Sequence, residues 1–213
     1  MRSPLRWYFD FISPFSYLQW PRVRGLMAER DIELVPILLG AVLDARGQKG
    51  PAEIVGKRAF TYRHVVWQAR QQNVALRFPP RHPFNPLPAL RLCIAARTSQ
   101  HVVTANAVTA IFDFIWADGR AADSLDALAP LIAQFGLTPE ALGDAAVKAA
   151  LRDNTQRALD AGVFGVPTFA IGDALFWGND AHDFAAAVLD DPALLDDDEM
   201  RRVLALPIGI QRT

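Results

Sequence analysis

Cysteine is almost missing from this sequence, with Cys93 alone among 213 residues. No internal disulfide can form, which is compatible with a reducing compartment. Long apolar runs are also lacking. The most apolar longer segment, Val102 to Trp116, contains Asn106 and Asp113 and is too short to span a bilayer. The opening Met1-Arg2-Ser3-Pro4-Leu5-Arg6 lacks the apolar centre of a signal peptide. Charge of one sign is absent as well: 22 Lys and Arg against 23 Asp and Glu leave −1. That removes the electrostatic case for nucleic acid or an anionic membrane as partner. No phosphate loop and no nucleophile elbow is found. His64, His82, His101 and His182 share no metal-ligand spacing, and Asp196-Asp197-Asp198-Glu199 lacks the spacing and glycine of a calcium loop. The expectation is a soluble cytoplasmic protein without a metal. Half its residues are hydrophobic, enough for a packed core.

What is present begins with Trp7 to Ile12, a strand-favouring run that stops at Ser13-Pro14. Ser13 suits an N-cap and Pro14 the first helical position, so a helix is expected over Pro14 to Arg30. Ile32 to Leu38 alternates like a second strand, which makes a βαβ unit with parallel strands. Gly40 to Gly50 reads as small and turn residues. Lys57 to Gln72 is helical, and the proline-rich Phe78 to Pro88 can be neither helix nor inner strand. Ala89 to Thr98, Val102 to Ala117, Ser124 to Phe135 and Pro139 to Ala161 read as four helices. Pro167 to Ile171 and Ala174 to Trp177 flank Gly172-Asp173 as a hairpin. Asn179-Asp180 can cap a last helix through Leu189, ended by Asp191-Pro192. The order βαβ, helical block, ββα is an α/β fold. One sheet domain (1–38 and 163–213) is interrupted by a helical insertion (39–162).

Three stretches can carry chemistry. Ser13 and Ser16 have the spacing of a Cys-x-x-Cys pair at a strand-to-helix turn, but serine supports no dithiol cycle. Ser13 is either a plain cap or a donor to a thiolate from outside, held where the helix dipole favours an anion. A charge-assisted hydrogen bond of about 1.5–3 kcal/mol can lower a thiol pKa by a unit or more. Val166-Pro167 is ordinarily trans; a cis bond turns the Val166 backbone toward a ligand in strand-like pairing. In Trp177-Gly178-Asn179-Asp180, the alternatives are a simple helix cap or a site where Asp180 holds an ammonium. Lys57 with Arg58, and Asn85 in the proline-rich run, are either solvated and turn residues or holders of a substrate carboxylate. Cys93, among Leu90, Leu92 and Ile94, reads as core.

Taken together, Phe9-Asp10-Phe11-Ile12-Ser13-Pro14-Phe15-Ser16-Tyr17, Phe164-Gly165-Val166-Pro167-Thr168 and Trp177-Gly178-Asn179-Asp180 resemble 2-hydroxychromene-2-carboxylate isomerases, which group with kappa-class glutathione transferases. The resemblance implies a thioredoxin-like domain with a large helical insertion, in a homodimer. It implies reduced glutathione with its sulfur at Ser13, its backbone paired to Val166 beside a cis Pro167, and its γ-glutamyl end among Trp177, Gly178, Asn179 and Asp180. Lys57 and Asn85 become substrate-binding positions. The implied reaction interconverts 2-hydroxychromene-2-carboxylate and trans-o-hydroxybenzylidenepyruvate, in aromatic catabolism. Gly47 to Lys57 and the proline-rich run depart from the naphthalene-pathway enzymes, which leaves room for a related enone acid. A kappa-like transferase or peroxidase, or a non-catalytic glutathione-binding module, are the alternatives.

Overall fold

The computed structural model describes residues 5–97 and 99–210. Residues 1–4, Thr98 (the expected end of one helix) and residues 211–213 lie outside that description. Four strands form one mixed sheet in the order β2-β1-β3-β4: β1 (Leu5–Phe9), β2 (Ile32–Pro36), β3 (Thr168–Ile171) and β4 (Ala174–Trp177). β1 and β2 run parallel and are joined by helix α1 (Pro14–Leu26); β3 is antiparallel to β1 and to β4. Between β2 and β3 lie α2 (Leu39–Ala45), α3 (Lys57–Gln71), α4 (Leu87–Ala95), α5 (Ala105–Phe112), α6 (Leu125–Gln134) and α7 (Ala145–Asp160). α8 (His182–Asp190) and α9 (Asp198–Leu204) close the chain. Among the described residues, no helix is long and apolar enough to cross a membrane.

Apart from Arg6, which pairs with Glu33 of β2 (2.8 Å), the residues of β1 are buried, and they alternate between two faces. Leu5, Trp7 and Phe9 face one side and join the large core with Phe112, Ile115, Trp116 and Leu128 of the helical block. Tyr8 faces the other side, beside Val35, Ala158 and Ala170 under α7. Covered on both faces, the strand keeps one charged position, Arg6, near its start. The centre of the large core is aromatic: the rings of Trp7, Phe9, Phe11, Tyr17 and Trp20 lie 4.8–6.4 Å from that of Phe112. The helical block packs on both faces of the sheet, through the large core on one side and the smaller cluster on the other.

Several boundaries differ from the sequence reading, each for a local reason. β1 ends at Phe9 rather than Ile12, because the Asp10 side chain accepts the Ile12 N–H and pulls the chain out of the ladder. α1 stops at Leu26, where Met27 serves as C-cap. The small residues after Gly40 lie in or follow α2, whose first N–H, that of Leu39, is also taken by Asp10. Pro139 to Ala161 is not one helix. A 3₁₀ turn, Pro139–Gly143, precedes α7, and Asp144 breaks the run by capping the Ala146 N–H. The segment after α5 widens into a π turn at Asp113–Ala117. Asn179 and Asp180 do not cap α8: its N-cap position is Ala181, without a side-chain bond.

Replacing Phe112 by alanine should lower the unfolding free energy by about 3–5 kcal/mol, because five aromatic neighbours cannot collapse into the space. Urea unfolding monitored by tryptophan fluorescence measures this.

Candidate active site

The turn that delivers Ser13 is built from bonds that cross the whole molecule. Asp10 is fully buried, and its carboxylate accepts the N–H groups of Ile12 (3.1 Å) and Leu39 (2.9 Å). The Asp10 carbonyl accepts from Ser13 N (3.1 Å). The next two carbonyls are taken by side chains of the insertion. Trp116 Nε1 donates to Phe11 O (2.8 Å), and His82 Nε2 donates to Ile12 O (2.9 Å). All three carbonyls from Asp10 to Ile12 are thus satisfied within the protein, and the shape of the turn is set by partners up to 105 residues away.

Ser13 then caps α1. Its Oγ accepts the Ser16 N–H at 3.2 Å, while Pro14 has no N–H to place. The remaining first-turn donor is the Phe15 N–H. The Ser13 hydroxyl proton has no acceptor among the described residues. A cap whose oxygen already accepts an N–H is a better donor with its own proton, and it sits at the positive end of α1. The cap and donor readings are thus compatible in one geometry.

The Val166–Pro167 bond is cis, and Thr168 Oγ1 donates to Gly165 O (2.8 Å) to fix the turn before β3. Since Tyr8 pairs with Thr168, Pro167 stands level with Phe9, at the mouth of the Ser13 turn. The Val166 N–H and C=O have no partner among the described residues. Gly178 lies next to this turn, because its N–H donates to Pro167 O (2.9 Å) and its carbonyl accepts from Gln19 of α1 (2.9 Å). Gly165 must be glycine, since a β-carbon there would strike the Trp177 indole. Trp177 is half exposed and meets the Phe164 ring edge-on at 5.3 Å, forming an aromatic rim.

Asn179 is 96% buried, and its Nδ2 donates to Gln68 of α3 at 3.4 Å, yet its Oδ1 has no partner. A buried, unpaired acceptor costs about 1–3 kcal/mol unless a ligand supplies a donor. Asp180 is exposed beside it. Lys57 opens α3 on the surface. Asn85 is exposed, and its Oδ1 accepts the Leu87 N–H (3.1 Å), a turn role. Among the described residues, neither has a hydrogen bond to the Ser13 turn. Cys93 is buried, and its thiol is pushed up by that burial, which makes it inert.

Sequence reasoning missed Asp10, Gln19, Gln68, His82 and Trp116. Each acts through a partner far along the chain, and the only local signal was an aspartate three residues before Ser13.

Comparison with known proteins gives a consistent result. Residues 5–190 match the DSBA-like thioredoxin domain family. A 2-hydroxychromene-2-carboxylate isomerase from Sphingobium xenophagum is 30% identical over 199 residues, covering 90% of this chain and 100% of the relative. A kappa-class glutathione transferase from Caenorhabditis elegans is 22% identical over 81% of this chain and 82% of its own. Among solved structures, a 2-hydroxychromene-2-carboxylate isomerase superposes with TM-score 0.76 at 25% identity, over 92% of this chain and 99% of that one.

The site also sets a pH dependence. Burial pushes the Asp10 carboxyl up from 3.8 to about 7, against the pull of its backbone N–H partners. The folded value lies above the unfolded one, so its stability contribution is complete below about pH 4 and is lost as pH rises to about 7. On that shift, the unfolding free energy of wild type relative to Asp10→Asn should fall by on the order of 4 kcal/mol between pH 4 and pH 8. Paired urea titrations across that range test it, and a gap independent of pH would show a carboxyl that titrates normally.

Proposed function

The chain belongs to the 2-hydroxychromene-2-carboxylate isomerase family, within the DSBA-like thioredoxin domains, and on that footing we propose that it is a glutathione-dependent isomerase. Its substrate pair is 2-hydroxychromene-2-carboxylate and trans-o-hydroxybenzylidenepyruvate, or a related enone acid of aromatic catabolism. The observation that carries the reading is the Ser13 hydroxyl, whose oxygen is engaged by Ser16 N–H and whose proton is uncommitted. With no redox pair in the chain, that proton suits a thiolate from outside.

The residues present fit reduced glutathione. Val166 offers a free N–H and C=O for a peptide backbone, and the kinship with a kappa-class transferase supports a tripeptide thiol there. The unpaired Asn179 Oδ1 and the exposed Asp180 carboxylate suit the ammonium of an α-amino acid end. Gly178 and Trp177 border the same end. Bound, the thiolate supplies reversible addition to an enone, which lifts the double bond, permits rotation and leaves the thiol unconsumed. Ser13 holds the sulfur anionic through its O–H and the end of α1. Lys57 and Asn85 are assigned to the substrate carboxylate side. The same reading makes the protein a cytoplasmic homodimer acting on a small molecule.

Incubation with 2-hydroxychromene-2-carboxylate and glutathione, following absorbance and total thiol, should give isomerisation that requires glutathione without thiol loss. Stoichiometric thiol consumption would instead favour transfer by a kappa-like enzyme, and glutathione binding without turnover a non-catalytic module. Ser13→Ala should raise the pKa of the bound thiol by about one to two units, from a lost bond of about 1.5–3 kcal/mol. It should also slow turnover and cost about 1 kcal/mol of stability as a lost cap. An unchanged thiolate absorbance titration would remove Ser13 from the chemistry.

A further inference from the structure

Beside the Ser13 turn runs a chain of hydrogen bonds that thiol addition leaves unused. Arg58 Nε donates to Tyr62 Oη (3.2 Å), Tyr62 Oη meets His82 Nδ1 (2.7 Å), and His82 Nε2 reaches Ile12 O (2.9 Å). Arg58 Nη2 and Tyr62 Oη also approach the His82 carbonyl, at 2.8 and 2.7 Å. Because Ile12 O can only accept, Nε2 carries the imidazole proton and Nδ1 is bare. The single Tyr62 proton therefore faces two acceptors, Nδ1 and the His82 carbonyl, both at 2.7 Å.

That arrangement has room for one more proton without moving a heavy atom. With Nδ1 protonated, Nδ1–H donates to Tyr62 Oη and Tyr62 O–H donates to the His82 carbonyl, so every contact becomes a proper bond. Burial among Phe78, Phe84 and Trp116 lowers the imidazole pKa and so favours the neutral ring; the bond to Ile12 O opposes this, and the Arg58 charge adds to it. Tyr62 and Arg58 are the titratable and charged groups that α3 turns toward it, and Phe78, Phe84 and Trp116 carry no charge. The pair is a proton acceptor in waiting, one residue from Ser13.

α3 positions this pair relative to the rest of the cleft. Gln68 meets Asn179, His64 lies 6.3 Å from the Phe15 ring, and Tyr62 meets His82. From Gln68 to Tyr62 is about 9 Å along a helix rising about 1.5 Å per residue. The Tyr62 end is tied to the Ser13 turn through His82 and Ile12 O, on the side of that turn away from Asn179 along α3.

We propose that Tyr62 and His82 form the proton relay that opens and closes the cyclic hemiketal of the substrate; this rests on the isomerase reading above. On opening, the C2 hydroxyl proton passes to Tyr62 Oη while the Tyr62 proton passes to His82 Nδ1. The C2–O1 bond breaks, C2 becomes a ketone, and the bonding pair goes to the phenolic oxygen. That oxygen takes a proton back from Tyr62 as His82 returns its own. No proton is gained or lost overall, and closure is the reverse. Arg58, which donates to Tyr62 Oη, is a positioning residue that supports the phenolate character of the transition state.

The test uses Tyr62→Phe and His82→Gln with two substrates: the cyclic 2-hydroxychromene-2-carboxylate, and cis-benzylidenepyruvate, which has no ortho hydroxyl and cannot cyclise. The glutamine amide can keep the donor to Ile12 O while removing the basic Nδ1, so a purely structural histidine would leave that variant close to wild type. Expected is a fall in kcat on the cyclic substrate of roughly 100-fold in both variants. KM should change little, and the loss on the acyclic substrate should be at least about tenfold smaller. In the unreacted protein, ¹⁵N chemical shifts of His82 should show a protonated Nε2 and a bare Nδ1. Thermal unfolding and the glutathione thiolate titration establish that each variant is folded with its thiol site intact; at least one variant that passes decides the matter. Equal losses on the two substrates, no loss, or an Nδ1-protonated resting ring would overturn the relay. Wild type that isomerises neither substrate would overturn the isomerase reading itself, and the relay with it.

Discussion

The four-residue turn from Asp10 to Ser13 is the constraint on which the site depends. It holds three consecutive carbonyls, and each is satisfied differently: Asp10 O by Ser13 N, Phe11 O by the Trp116 indole and Ile12 O by the His82 imidazole. The buried Asp10 carboxylate ties the same turn to the start of α2. Removing any of these partners strands a buried polar group, which costs more than the bond itself contributes. The helical insertion is therefore part of the Ser13 site through Trp116 and His82, as well as through the apolar core it shares with β1.

The exchange of cysteine for serine at this turn changes the chemistry without changing the scaffold. A helix N-terminus stabilises a thiolate, and in a dithiol protein that thiolate belongs to the chain. Here the side chain is a hydroxyl whose oxygen is engaged as a cap. It keeps one proton to give. On the proposed reading the sulfur arrives with glutathione, and the same local field acts on a borrowed anion. The enzyme then needs no reductant, because no sulfur–sulfur bond is made or broken.

α3 links Asn179 to His82. Gln68 meets Asn179 at one end, and Tyr62 and Arg58 meet His82 at the other, along a single rigid element. Groups carried on one helix keep fixed separations, which on the proposed reading holds the thiol site and the proton acceptor in register. Its exposed face carries Phe60 and Trp67, with His64 between them, 5.4 Å from one ring and 6.0 Å from the other.

The sequence by itself determined the elements whose signals are local. Ser13-Pro14 announces the start of α1, Gly172-Asp173 the hairpin, and the apolar run of β1 a strand buried on both faces. The motif combination around Ser13, Val166-Pro167 and Asn179-Asp180 also pointed to the family to which residues 5–190 belong. Only the tertiary structure decided which partners complete the site. Asp10 looked like one more residue of a strand until its carboxylate was seen to take the Leu39 N–H, 29 residues on. His82 looked like a lone histidine in a proline-rich loop until its ring met Ile12, 70 residues earlier. Asn179 could be a helix cap or part of a binding site; the chain delays α8 to Ala181 and turns that side chain toward Gln68. Caps, turns and strand periods are written within a few residues. A hydrogen bond across the fold depends on where two distant segments come to rest, and nothing within either segment records that.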